Sequence, residues 1–200
     1  MQIELESMAI EMPKVAGHPN REPFRGVLTL VDVPSDRSPA GARGHRVVLT
    51  RAAAEAALPS LLGMGLDYAP TLDRHDTRRK VGVITGAEIV GRTLELSGHL
   101  FAKDFPEVVE AIRQNPGRAR TLAATWTPTS RKTGETWGTQ PRPGLLGTPL
   151  GMSYEIADAR VADMRAKIWT LTHVTFTGAA ILRREKAAYR ETWIGLEESF

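Results

Sequence analysis

The residues best equipped for chemistry are one serine and two histidines. Ser153 stands in LGMSYEI behind a small-residue approach (Gly151, Met152), and His173 follows twenty positions later in IWTLTHVTF. His75 lies far upstream in LDRHD. A hydroxyl becomes a useful nucleophile when a base within hydrogen-bond reach takes its proton, and that base needs a third group to hold its tautomer. Histidine suits the base because its unperturbed pKa of about 6.5 lies near neutral pH. Ser153 to Ile156 and Ile168 to Phe176 are rich in β-branched and aromatic residues, as strands are. The charged stretch between them, Asp158 to Lys167, reads as the end of a hairpin. Folding the segment back about Asp163 puts Ser153 and His173 on neighbouring strands, with similar registers equally open. His75 is flanked by charges and precedes a strand, so it belongs at a sheet rim and completes a Ser-His-His patch.

Other chemistries are less well served. GMSYE is not the GxSxG elbow of the α/β-hydrolases. Asp73, His75 and Asp76 could supply metal ligands, but neighbours on an extended segment point to opposite faces, and no HExxH motif occurs. Neither a metal nor a cofactor is expected. His18 reads as solvated, and His45 and His99 read as structural or exposed strand residues. The basic run Arg78 to Lys80 reads as a solvated face, and no glycine-rich phosphate loop follows a strand.

The elements that must position these groups come from periodicity and punctuation. An edge strand is expected within Ile3 to Met12, followed by a loop. Strands are expected at Phe24 to Val33 and Arg46 to Leu49. Thr50 then suits the N-cap of a helix that Pro59 ends or kinks and Gly63 stops. Leu66 to Pro70 leads into the His75 segment. Two strands, Val81 to Ile84 and Ile89 to Phe101, are separated by a turn at Gly86. Asp104 suits an N-cap, with Pro106 in the first turn and Glu107 as capping-box partner. A strand over Thr121 to Thr127 precedes a long irregular loop, Pro128 to Pro149, of the kind that serves as a lid or binding loop or is disordered. A helix over Arg183 to Thr192 and a mobile tail, residues 194–200, finish the chain. The expected fold class is α+β, mainly β, with an antiparallel sheet or barrel core and a few packed helices. One domain spans residues 24–193, and residues 1–23 are either part of it or a trimmed segment.

With 200 residues, 42% of them hydrophobic, the chain can bury one good-sized core. It has no cysteine, which excludes a disulfide framework, a thiolate metal site and a cysteine nucleophile. A formal charge of +3 is too weak to argue nucleic-acid binding. No apolar run approaches the ~20 residues that span a bilayer, and the N-terminus lacks the pattern of a signal peptide. A soluble, intracellular globular domain without a membrane partner is the expectation.

Several of these segments together resemble a known family. They are LDRHDTRRKVGVIT, a strand ending in S-G-x-L-F, the helix AKDFPEVVEAI, LGMSYEI, and LTHVTFTGAAILRREKAAY. In this order, over about Gly26 to Thr192, they resemble the prohead maturation proteases of tailed phages, which share a fold and mechanism with the herpesvirus assemblins. The resemblance implies an assemblin-like serine endopeptidase with His75 as general base and Ser153 as nucleophile. Phage members often carry an acidic residue in the last strand; here His173 stands in that place, as the second histidine of assemblins does. A neutral imidazole stabilises an imidazolium less than a carboxylate would, so a slow protease is expected. Backbone N–H groups near Gly151, or Arg120 or Arg142, would serve the oxyanion. The long loop just before the nucleophile leaves Thr125 and Ser130 as alternatives to Ser153.

The implied substrates are the scaffold protein, the major capsid protein and the chain's own ends. The implied location is the assembling prohead in the host bacterial cytoplasm, and a homodimer is compatible with the resemblance. The alternative functions are a non-catalytic capsid-assembly or scaffold protein of the same fold and, from a different class, a metal-dependent hydrolase using His75 and Asp76.

Overall fold

Strict alternation of buried and half-buried residues from Thr93 to Leu100 marks a strand with one face on a core, and the rest of the molecule is built around such strands. The computed structural model describes residues 7–11, 17–115 and 149–197. Within them lie β1 (Ser7–Ala9), β2 (Glu22–Leu30), β3 (Arg46–Leu49), α1 (Arg51–Ala57), β4 (Gly65–Tyr68), β5 (Lys80–Val90), β6 (Thr93–Leu100), α2 (Pro106–Gln114), β7 (Leu150–Val161), β8 (Ile168–Arg183) and β9 (Trp193–Leu196). The protein is mainly β, with the strands in one sheet ordered β3-β8-β4-β5-β6-β2-β9. β1 adds to β5, and β7 pairs with β8. The sheet curls into a half-barrel. β2 passes so close to β7 that a Cβ on Gly26 would lie 2.7 Å from Met152 Sδ. Phe24, Leu28, Ile84, Leu96 and Phe176 share one apolar core, and α2 adds Val108, Val109 and Ile112 to it. Among the described residues no helix is long and apolar enough to cross a membrane.

β8 organises the sheet. One of its edges carries β7 along most of its length, antiparallel. Its other edge pairs with β3 over Ile168 to Leu171 and with β4 over Ala179 to Ile181, both parallel. Parallel neighbours require a long connection: the chain reaches β8 from β4 through β5, β6, α2 and β7, while α1 links β3 to β4, which both pair with β8 on that one edge. The sheet is therefore mainly antiparallel, as the sequence suggested, with its parallel pairs confined to one edge of β8. Thr50 caps α1 as expected: its Oγ1 accepts from Ala53 N at 3.2 Å and donates to Leu171 O at 3.1 Å. Removing both bonds with Thr50→Ala is expected to lower stability by about 1–2 kcal/mol, read as a shift of the urea midpoint, while Thr50→Ser keeps most of it. A midpoint unchanged in Thr50→Ala would mean that the cap contributes nothing.

Four expected elements differ. Gly86 is not a turn: β5 runs through it, and a Cβ there would lie 2.5 Å from Ser97 Oγ on β6. Its glycine answers to close strand packing, and the turn falls at Gly91, where φ is +59°. Asp104 does not cap α2. Phe105 is the N-cap residue, with no side-chain bond, and the Asp104 carboxylate instead accepts from Asn20 Nδ2 at 2.8 Å. Arg183 to Thr192 is not a helix beyond a 3-10 turn at Arg184–Lys186. The segment is held instead by Tyr189, which is buried with its hydroxyl within hydrogen-bond distance of both Val33 O and Val47 O, its single proton serving one of them at a time. Finally, residues 194–196 of the expected tail belong to β9, paired with β2. The expected strand Thr121–Thr127 and most of the Pro128–Pro149 loop lie outside the described residues.

Candidate active site

Three adjacent strands converge at one point of the sheet. Asp67 on β4 is registered with Ala180 on β8, and Ala180 with Ser153 on β7. Glu155, two residues beyond Ser153, is registered with Gly178. Residues opposite one another share a face, and a period of two keeps Ser153 and Glu155 on the same one. The middle strand therefore offers only Gly178 and Ala180 between the polar side chains that flank it. A Cβ on Gly178 would lie 3.4 Å from Glu155 Oε2 and 3.9 Å from Asp67 Oδ2, so the glycine leaves the room in which both carboxylates converge.

His75 reaches this point from the loop between β4 and β5. Leu72 anchors the loop: it is buried, holds φ at +52°, and its carbonyl accepts from Arg183 N at the end of β8 at 2.8 Å. Left-handed backbone at a non-glycine residue costs roughly 1–2 kcal/mol and persists where surrounding packing enforces it. A second anchor is Asp76 N, which donates to Asp67 Oδ1 at 3.1 Å. Between these anchors His75 Nδ1 lies 3.5 Å from Asp67 Oδ2 and 3.4 Å from Glu155 Oε1. Side-chain exposure falls from 32% at Glu155 to 19% at His75 and 0% at Asp67. Lys80 Nζ, 3.5 Å from the same Asp67 oxygen, partly offsets the buried negative charge.

His75, Ser153 and Glu155 line one open cleft of about 930 Å³, with Arg37, Arg43 and Arg74 on its rim. Ser153 is half-buried, and its side chain has no hydrogen bond to another described residue. Its neighbour Tyr154 packs edge-on against Phe176 at 5.6 Å, and burial pushes its phenol up to about 12. Tyr154 is thus a neutral packing residue at physiological pH.

His75 and Ser153 line the same cleft, but His173 does not. The hairpin turn lies later than expected, with Asp163 opening it through its side chain, which accepts from Arg165 N at 2.8 Å. Ser153 therefore pairs with Ala180, and His173 with Arg160, seven positions along β8. At ~3.3 Å per residue that is roughly 23 Å, and His173 is exposed. It cannot orient His75 in this register. Two carboxylates, Asp67 and Glu155, face His75 instead. Neither Asp67 nor Glu155 figured among the residues singled out from sequence, although an aspartate inside the short apolar run LDYA and an acid two residues after Ser153 were visible signals.

The remaining candidates are engaged elsewhere. Asp73 accepts from Thr71 Oγ1, a bond that holds its carboxyl below the usual range. Asp76 accepts from Arg78 N and pairs with Arg79. Asp73, His75 and Asp76, weighed as metal ligands for the alternative reading, are therefore not assembled into one site. Gly151 is registered opposite Leu182, and a Cβ on it would lie 2.7 Å from Thr192 Oγ1. His18, expected to be solvated, is half-buried, its Nδ1 accepting from Asn20 N at 3.1 Å. His45 stacks on Trp169 at 4.4 Å, and burial lowers the His99 pKa. Thr125, Ser130, Arg120 and Arg142 lie outside the described residues.

No protein-family model matches the chain, and no curated protein matches it. Among solved structures it is similar to KSHV protease in complex with a hexapeptide phosphonate inhibitor, at 14% identity and a TM-score of 0.35. The match covers 80% of this chain and 59% of that one, so the chain spans well under two thirds of its structural neighbour. What the cluster can do is carried by its own residues.

Proposed function

We propose that this protein is a serine endopeptidase in which Ser153 is the nucleophile, His75 the general base and then acid, and Asp67, assisted by Glu155, the group that orients His75. The observation that carries this reading is an imidazole whose Nδ1 faces a fully buried carboxylate in the cleft that Ser153 also lines. With a proton on Nδ1 held toward Asp67, the lone pair is left on Nε2. The Ser153 hydroxyl then gives its proton to Nε2 as Oγ bonds to the peptide carbonyl carbon, and the carbonyl electrons move onto oxygen. Collapse breaks the C–N bond, with the Nε2 proton passing to the leaving amine. Water repeats the sequence on the acyl ester and frees the serine. At 3.4–3.5 Å neither contact is a hydrogen bond in this structure; the role requires them to tighten when substrate binds, as catalytic hydrogen bonds often do.

We further propose that the enzyme works in phage head maturation, inside the assembling prohead in the host cytoplasm, on scaffold and major capsid proteins and its own ends, with a homodimer as its working state. The succession of sequence motifs supports this finer assignment; the cleft supports only the chemistry.

The test is covalent labelling. A fluorophosphonate reagent is expected to add one phosphonyl group per chain, found by peptide mass on the segment containing Ser153, and the adduct should vanish in His75→Gln. A folded wild-type protein that takes no label, or takes it elsewhere, would overturn the assignment.

A further inference from the structure

The cluster that faces Ser153 also has the dimensions of a metal site. Asp67 Oδ2 and His75 Nδ1 are buried and have no hydrogen-bond partner among the described residues. Their separation of 3.5 Å, and that of 3.4 Å between His75 Nδ1 and Glu155 Oε1, exceed the 2.7–3.2 Å usual for N–H···O bonds. A tetrahedral Zn²⁺ with ligand distances of about 2.0–2.1 Å has edges of about 3.3–3.4 Å between ligand atoms. All three donor atoms lie within 4.8 Å of one another. An imidazole nitrogen with two carboxylates suits a borderline cation such as Zn²⁺, whereas Mg²⁺ and Ca²⁺ prefer oxygen ligands alone.

We propose that Asp67, His75 and Glu155 bind a single Zn²⁺-type divalent cation and that this cation switches off the serine chemistry; the switch rests on the endopeptidase reading above. The two carboxylates match the cation's charge. Asp76 N, donating to Asp67 Oδ1, fixes the orientation of the ligating carboxylate. Coordination uses the Nδ1 lone pair, so the ring proton must sit on Nε2. The imidazole stays neutral and no proton is lost overall, but Nε2 becomes a donor and cannot take the Ser153 proton. Lys80 competes for the same place, its ammonium 3.5 Å from Asp67 Oδ2. Its side chain is 38% exposed, so it can withdraw into solvent.

The experiment is calorimetric titration of untagged Ser153→Ala protein with ZnCl₂ at neutral pH. One site per chain is expected, weakened at least about tenfold in Ser153→Ala/Glu155→Gln and tightened in Ser153→Ala/Lys80→Met, which keeps the stem and removes the competing charge. In wild type, Zn²⁺ should slow fluorophosphonate labelling in proportion to occupancy, and a chelator should restore it. No stoichiometric binding, or binding unchanged by Glu155→Gln, would overturn the site. Labelling that is unaffected by saturating Zn²⁺, or that requires it, would overturn the switch. Wild type that takes no label with or without chelator would sink the serine reading, and the switch with it; the titrations still decide the site.

Discussion

Ser153→Ala is expected to abolish proteolysis, with kcat falling by about 10⁶, the scale on which removal of a triad nucleophile acts elsewhere. The substitution removes one oxygen from a half-buried strand position, so fold and stability should be retained. Intact mass of wild type and variant, alone and incubated with candidate capsid and scaffold proteins, reads the result directly. Trimming seen only in wild type would establish both the activity and its nucleophile. Trimming in the variant within about tenfold of wild type would move the nucleophile to another hydroxyl, with Thr125 and Ser130 the first to replace.

Asp67→Asn is expected to lower kcat by about 10³, Glu155→Gln by less than about tenfold, and His173→Ala not at all. The ranking follows from burial. A unit charge 3.5 Å from the imidazolium that forms in the transition state contributes about 5 kcal/mol at an effective dielectric constant near 20. At 1.36 kcal/mol per decade that amounts to about 3.5 decades, reduced somewhat by the Lys80 ammonium beside the same oxygen. Glu155 lies equally close but is 32% exposed, and near bulk-water screening the same distance gives only about 1 kcal/mol. Asparagine also offers an amide N–H toward Nδ1, favouring the tautomer that cannot accept the serine proton. Melting curves would separate misfolding from lost catalysis, because a destabilised Asp67→Asn protein should still be largely native well below its midpoint. Equal losses in Asp67→Asn and His173→Ala would mean that β7 and β8 pair in a different register.

Part of this was legible in the residues. The N-cap at Thr50, the helix end at Pro59 and most strands follow from side-chain types and short spacings, which act within a few residues. Others were misread for identifiable reasons. An Ala-Ala-Tyr run has helical propensity, but burying Tyr189 beneath two carbonyl acceptors outweighs the few tenths of a kcal/mol per residue that propensity supplies. Gly86 looks like a turn residue, yet it lies within β5, where a Cβ would meet the Ser97 hydroxyl across the strand pair.

The third member of the site shows where local reasoning ends. Residue chemistry along the chain was enough to expect a mainly β scaffold and to single out Ser153 and His75 as candidates. Which group stands behind His75 depends on register, and register depends on where the β7–β8 hairpin turns. A displacement of seven residues exchanges His173 for Asp67 and Glu155 as the groups that meet His75. No short-range signal distinguishes those registers, because both strands are rich in strand-forming residues. The choice is made by long-range packing: Trp169, Leu171, Val174 and Phe176 are buried, β4 pairs with the far half of β8, and a glycine at position 178 lets two carboxylates approach one imidazole.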